Sequence, residues 1–248
     1  MSSHPFFEIH KELPREGPGN DESTKKAFGM LSRLPAHPQI LDVGCGPGMQ
    51  TKALASLIDG TITAVDRHEP FLRELEKWVA DHGAEGKIRT VCADMFALPF
   101  AEESFDLIWS EGAIYIIGFE RGMREWGKLL RPGGYLVASE VTWLTGERPA
   151  EIEAFWQKNY PAIAGVEENK QIVQRAGYRL VGSFTLPESG WWEYYGPLEK
   201  RVAKLRDEYA GQVDMQQALD ETQQEIDLYR KYGTYYGYTF FIMQRPES

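Results

Sequence analysis

The sequence predicts an α/β fold: a doubly wound, mostly parallel sheet of seven strands, with a helical insertion before the final strand. Three observations carry this. Short apolar, β-branched runs alternate with stretches whose apolar residues recur at helical spacing, as expected when helices cover both faces of a parallel sheet. The first of these runs opens into a glycine cluster. Composition does not break between units, so residues 1–248 read as one domain, and the 42% of hydrophobic residues among 248 can bury one sizeable core.

Residues 1–36 form an arm and a helix. Up to about residue 20, Pro5, Pro14, Gly17, Pro18 and Gly19 stand among charges, which predicts irregular chain with a turn at Gly17-Pro18-Gly19. From Asp21 to about Leu34 the pattern is helical, until Pro35 and Pro38 end it. Residues 37–141 then hold five strand units: Ile40 to Val43, Ile62 to Val65, Ile88 to Cys92, Phe105 to Trp109 and Tyr135 to Ser139. Phe71, Leu72, Leu75, Trp78 and Val79 make one helical stripe between them, and Phe119, Met123, Trp126 and Leu130 another. Arg131-Pro132-Gly133-Gly134 reads as the turn into the fifth strand. In residues 142–248 the rhythm loosens: helices near Pro149 to Tyr160 and Glu167 to Ala176, a sixth strand from Tyr178 to Phe184, and a seventh from Tyr235 to Met243. Between the last two strands, about 187–233, an aromatic run and two helical stripes predict a cap inserted in the final hairpin.

Charge and cysteine content narrow the function. With 27 basic against 37 acidic residues, a net charge of −10, the chain opposes a partner held by its phosphates, so nucleic acid is not expected. Two cysteines are too few for a stapled secreted domain, no apolar stretch approaches a membrane span, and Met1 to Ile9 lacks a basic-then-apolar leader. These features predict a cytoplasmic protein with no membrane partner, and they are compatible with a homodimer. No His, Cys, Asp and Glu cluster has metal-ligand spacing, so no metal is expected.

The most informative stretch is Leu41-Asp42-Val43-Gly44-Cys45-Gly46-Pro47-Gly48, where a strand runs through glycines into a helix beginning near Met49. Glycines let a ligand approach the backbone, and the helix start offers free N–H groups. Met49 stands where a dinucleotide fingerprint would place its third glycine, and the acidic Asp42 beside the loop disfavours phosphate and suits an amino or cationic ligand, which makes it a candidate cofactor-binding residue. Asp66 ends the second strand, where a carboxylate can accept both ribose hydroxyls, and Arg67 follows it. Asp94 and Met95 follow the third strand, suiting an exocyclic amine and the face of a ring. Ser110, Glu111 and Gly112 follow the fourth. Four strand ends in register share one edge of the sheet, the ligand-binding edge of such folds.

These segments, with Ala64-Val65-Asp66, Ala93-Asp94-Met95, Phe105-Asp106-Leu107-Ile108 and Leu130-Arg131-Pro132-Gly133-Gly134-Tyr135-Leu136, closely resemble the successive motifs of the class I S-adenosylmethionine-dependent methyltransferases. The resemblance runs from about Ile40 to Glu140 and implies a Rossmann-like sheet whose last strand is antiparallel. It implies S-adenosyl-L-methionine as cofactor, with Gly44, Gly46 and Gly48 under its methionine portion, Asp66 at the ribose, and Asp94 with Met95 bounding the adenine. The family serves many acceptors with one core, so it implies methyl transfer by in-line displacement without naming the acceptor atom, O, N or C.

Three residues are candidate bases: Glu111 first, then Glu140 and His10, each of which a purely structural role would also explain. Arg15, ahead of the turn in the arm, is positioned to meet the cofactor carboxylate if the arm closes. Phe6, Phe7, Tyr115, Trp143, Trp191, Trp192 and Tyr195 predict aromatic walls for a small, partly apolar acceptor, although any single one of them would equally serve as an anchor in the core. Two other readings share the strand–glycine–helix unit: a nicotinamide-dependent oxidoreductase, and a non-catalytic S-adenosylmethionine-binding module.

Overall fold

Residues 5–247 are described by a computed structural model; the first four residues of the predicted arm lie outside the described residues. Eight strands form one sheet: β1 (Gln39–Val43), β2 (Thr61–Asp66), β3 (Ile88–Cys92), β4 (Phe105–Ser110), β5 (Leu130–Trp143), β6 (Ala164–Gly165), β7 (Arg179–Thr185) and β8 (Tyr236–Gln244). The order is β3-β2-β1-β4-β5-β8-β7, with the two-residue β6 paired to the end of β5. All pairings are parallel except those of β8, which runs antiparallel to both β5 and β7. The seven expected strands are therefore present, and β6 is the one addition.

Alternate residues along each strand face opposite sides, as the pleat requires. Ile40, Leu107, Trp109, Tyr135, Val137 and Phe240 enter one core, and Leu41, Val43, Ile108, Leu136, Ala138 and Phe241 the other. The first core receives α2 (Asp21–Phe28), α3 (Met49–Ala55), α4 (Glu69–Asp81), α8 (Glu188–Glu208) and α9 (Val213–Tyr232). The second receives α5 (Phe119–Gly127) and α7 (Val166–Arg175) through Phe119, Met123, Trp126 and Val173. The two remaining helices are the short α1 (Pro5–His10) in the arm and α6 (Ala150–Asn159) after β5.

Four local details depart from the sequence reading, each for a physical reason. The arm is not irregular throughout: α1 forms because its buried face packs on the cap, where the His10 ring bonds Tyr194 Oη at 3.0 Å. Helix α2 stops at Phe28 rather than near Leu34, because the chain turns at Gly29, with Met30 N–H and Leu31 N–H bonding back to Ala27 and Phe28 carbonyls. Arg131 to Gly134 lie inside β5 as an irregularity where its register against β4 shifts between Phe105 and Leu107, with Gly133 at φ +76°. The aromatic run Trp191 to Tyr195 is the first part of α8, with buried Trp191, Tyr194 and Tyr195 on its inner side.

Strand order reverses between β1 and β4, which places the loops after these strands on either side of a crevice at the carboxyl edge of the sheet.

Candidate functional site

The glycine loop is shaped by three left-handed residues, Gly44 at φ +74°, Gly46 at φ +52° and Gly48 at φ +85°. Gly44 and Cys45 donate to the Val65 carbonyl at 2.9 and 3.0 Å, tying the loop to the end of β2. A Cβ at Gly44 would stand 2.4 Å from Ala113 Cβ, and one at Gly48 would stand 2.5 Å from Leu75 Cδ1, so no side chain fits at either position without displacement. Asp66 completes the frame: its Oδ2 accepts from Gly46 N–H and its Oδ1 from His68 N–H, both at 2.9 Å. Each oxygen keeps a lone pair for a ligand hydroxyl.

Around this frame lies a cavity of about 390 Å³, lined by Arg15, Gly44, Gly46, Asp66, Arg67, Asp94, Met95 and Glu111 among the expected residues, and by Glu16, Gln50, His68, Phe71 and Ile116 beyond them. Asp94 Oδ1 accepts from Phe96 N–H at 3.0 Å, which sets its carboxylate at the cavity edge. Phe7 lies here, stacked on His68 with ring centroids 3.8 Å apart, and lines this cavity and not the larger one adjoining it. Three residues expected at the cofactor support the cavity without lining it. Gly48 turns the loop into α3. Ser110 Oγ donates to the Val43 carbonyl at 3.0 Å. Asp42, wholly buried, accepts from Thr51 Oγ1 at 2.5 Å and Gln50 Nε2 at 3.4 Å, and thereby fastens α3 to β1; burial raises its pKa to about 7 against the opposing effect of those two bonds.

The candidate bases separate. Glu111 is buried at the crevice: its Oε1 accepts from Thr24 Oγ1 at 2.6 Å and Trp109 Nε1 at 2.8 Å, while its Oε2 has no hydrogen-bond partner among the described residues and stands 3.7 Å from Arg15 Nη1. Burial raises its pKa, and Arg15, Thr24 and Trp109 oppose the rise. Arg15 is only 5% exposed and is held between Glu111 and Asp21, the latter at 3.2 Å. Glu140 lies deeper in β5 and borders neither large cavity; burial pushes its pKa to about 8, with a Tyr160 hydrogen bond opposing. His10 lines a second cavity. Its Nδ1 donates to the Phe6 carbonyl at 2.9 Å, which leaves Nε2 to accept from Tyr194 Oη, and burial lowers its pKa.

That second cavity, about 920 Å³, is walled by α1, α6, α8 and α9 and adjoins the first along Phe6, Glu16, Gly17, Gly112 and Tyr115. Trp191 and Tyr195 line it, joined by Phe155, Trp156, Tyr194 and Tyr238. Trp143 and Trp192 do not. Trp143 packs on Tyr236 beneath the Arg148 guanidinium, and Trp192 donates to Glu188 at 3.0 Å with Arg230 over its ring, so both anchor the cap and its surroundings. The sequence reading missed Glu16 and Glu225. Glu225 was findable: with Ala218 and Thr222 it repeats at i, i+4 and i+7 on the inward side of α9, an acid where a helix otherwise turns apolar residues to the core. Glu16 carried no periodic signal.

Among the described residues no group of three or more His, Cys, Asp or Glu side chains is placed to hold a metal ion, and no helix is long and apolar enough to cross a membrane.

The fold is the one shared by solved S-adenosylmethionine-dependent methyltransferases, and the glycine-loop core is similar to the methyltransferase domain. Residues 41–138 match the family model described as a methyltransferase domain. The chain is 28% identical to methyltransferase GfsG of Streptomyces halstedii over 166 residues, or 65% of this chain, and spans only 59% of that protein's length. It is 26% identical over 238 residues to the uncharacterized methyltransferase YodH of Bacillus subtilis, covering 91% of each. A Geobacter sulfurreducens SAM-dependent methyltransferase solved with S-adenosyl-L-homocysteine superposes with a TM-score of 0.84 at 17% identity, covering 98% of each chain. Neither the nicotinamide reading nor the non-catalytic module is favoured by these likenesses.

Proposed function

We propose that this protein transfers the methyl group of S-adenosylmethionine to a small-molecule acceptor held in the larger cavity. One observation carries the reading: a nucleoside-sized crevice at the glycine loop shares a wall, made of Glu16, Gly17, Gly112 and Tyr115, with a roomy aromatic chamber. The residues present suit the cofactor. Asp66 keeps acceptor capacity for ribose hydroxyls, Met95 and Phe71 offer apolar faces for a ring, and Asp94 is an acceptor for an exocyclic amine. Arg15 and the unpartnered Glu111 Oε2 make a pair of opposite charges for a zwitterionic amino-acid end, the guanidinium for its carboxylate and the Glu111 carboxylate for its ammonium.

The bound cofactor supplies a methyl group already activated on a sulfonium, so the protein's task is alignment and exclusion of water. Helix α1 and the following arm close the crevice, tied to the cap by Gly19 N–H donating to the Gly190 carbonyl at 3.0 Å and by Arg201 donating to the Glu8 carbonyl at 3.1 Å. In the acceptor chamber His10 is the group to take a proton, because burial favours its neutral form and the Phe6 carbonyl fixes its tautomer with Nε2 as the basic nitrogen. Glu111, on the cofactor side, binds rather than accepts that proton. The experiment is calorimetry with S-adenosylhomocysteine, followed by incubation with methyl-labelled S-adenosylmethionine and an acceptor library. Binding and label transfer are expected. Failure to bind S-adenosylhomocysteine overturns the whole proposal, and binding without transfer to any acceptor returns the protein to a binding module.

A further inference from the structure

Resting on the methyltransferase reading, we infer that the acceptor is a basic amine on a flat or apolar body, received by two carboxyl groups that the acceptor chamber leaves without a cation. The first is Glu16. Both of its carboxyl oxygens are buried and lack a hydrogen-bond partner among the described residues, and it lines both cavities at their junction. Its Cγ lies 3.1 Å from where a Cβ on Gly46 would stand, so this carboxyl group is at the threshold between donor and acceptor. The second is Glu225, on the wall contributed by α9, which accepts from Tyr195 Oη at 2.8 Å and has no cationic partner among the described residues. Both acids act on the Tyr194 hydroxyl, which places them about the same part of the chamber.

An unpaired carboxyl group is expensive to bury, and the surrounding fold does nothing to neutralise these two. The other acids at the chamber are already engaged: Glu151 is bridged by Lys231 at 2.6 Å, and Glu221 accepts from Gln217 at 3.1 Å. Arg15 lines only the cofactor cavity, and Lys158, the one lysine on the chamber wall, is exposed. A ligand ammonium would supply the missing positive charge, and the rings of Trp191, Tyr194 and Phe155 suit both a cation and a flat body. Burial, aggravated by Asp66 and Glu74, pushes the Glu16 pKa to about 9, so the group keeps its proton near neutral pH until a bound cation favours its ionised form. For transfer the ammonium gives up one proton to His10. The nitrogen lone pair then bonds the methyl carbon as the carbon–sulfur pair returns to sulfur, leaving the thioether product.

The test uses the full chain saturated with S-adenosylhomocysteine and titrates matched triads by calorimetry: phenethylamine, tryptamine and dodecylamine, each against its alcohol and its carboxylate. At least one amine is expected to bind about tenfold or more tightly than its alcohol, with the carboxylate weakest. Glu225→Gln, which retains an acceptor for Tyr195 and stands outside the cofactor cavity, should abolish that preference while leaving S-adenosylhomocysteine affinity within about twofold. Glu16→Gln is the second variant and should do the same to the amine. Equal binding across the triads, binding of no amine, or a preference that survives both substitutions overturns the inference. S-adenosylhomocysteine binding in those same samples shows that the methyltransferase reading stands independently, and its loss in the unsubstituted chain is the separate failure of that reading.

Discussion

Replacing Asp66 by asparagine tests the cofactor site more sharply than replacing it by alanine. The carboxylate accepts two backbone N–H groups, from Gly46 and His68, at 2.9 Å each, and so receives donors on both oxygens. Asparagine is nearly the same size but has one oxygen and one NH₂, so one of the two backbone donors would face another donor. The glycine loop would then lose one of its anchors as well as the negative acceptor for the ribose. A hydrogen bond to a charged group contributes roughly 1.5–3 kcal/mol, and each 1.4 kcal/mol is about tenfold in affinity, so the dissociation constant for S-adenosylhomocysteine should rise about ten- to a hundredfold. Asp66→Ala should lose a similar amount, because the loss is of acceptor charge and not of volume. Titration calorimetry gives the constants, and circular dichroism with thermal unfolding confirms folded protein. If Asp66→Asn binds within about twofold of the unsubstituted chain, the carboxylate neither organises the loop nor meets the ribose, and the site must be redrawn.

Gly44→Ala should lower the melting temperature and weaken S-adenosylhomocysteine binding by about tenfold or more, since φ +74° costs an L-residue roughly 1–2 kcal/mol and its Cβ would stand 2.4 Å from Ala113 Cβ. Glu111→Gln should weaken S-adenosylhomocysteine about tenfold, read by calorimetry, because the ligand ammonium loses its negative partner while an acceptor for Thr24 and Trp109 is kept; unchanged affinity removes the amino-acid-end role. His10→Phe should lower kcat with the cofactor dissociation constant nearly unchanged, and equal turnover excludes His10 as the proton acceptor. The pH dependence of stability has a definite sign. Burial holds the folded-state pKa of Glu140 at about 8 against 4.5 unfolded, so its stabilising contribution is complete below about pH 4.5 and is lost as pH rises through about 8. Thermal midpoints should fall across that window, and Glu140→Gln should flatten the fall; a midpoint that rises over the same range contradicts the neutral buried acid.

The sheet and the cofactor crevice were legible because both are written in contiguous residues. Strands buried on both faces, such as Phe105–Ser110 with every residue buried, read as unbroken apolar runs, and the Gly44, Gly46 and Gly48 positions need left-handed backbone that glycine alone adopts cheaply. Asp66 and Asp94 follow from the strands that end at them. The departures share another cause: each is decided by a contact that strand or helix periodicity does not reveal, in one case far along the chain. Helix α1 forms against α8 and α9, with His10 bonded to Tyr194 184 residues away. Trp192 and Trp143 look like substrate walls by composition, yet Arg230 and Arg148 claim their faces, and no spacing signals either pairing. Asp42 looked like a ligand because it precedes the glycines, but on β1 it faces Thr51 and Gln50 of α3 instead of the crevice.

This difference in legibility separates the two halves of the site by their physical construction. The proposed cofactor half is framed by loop N–H groups, positive-φ glycines and strand-end carboxylates that follow directly from the strands. The proposed acceptor half draws mainly on side chains of α1, α6, α8 and α9, which lie outside residues 41–138, with Gly112 and Tyr115 contributed from within them. Substitutions there alter what enters the chamber without disturbing the glycine loop, because only a few residues, Glu16, Gly17, Gly112 and Tyr115 among them, belong to both cavities. Under the proposed function, acceptor choice is set by the arm and the cap. The shared wall is where a change should move cofactor affinity and acceptor affinity together, whereas a change at Glu225 or Trp191 should move the second alone.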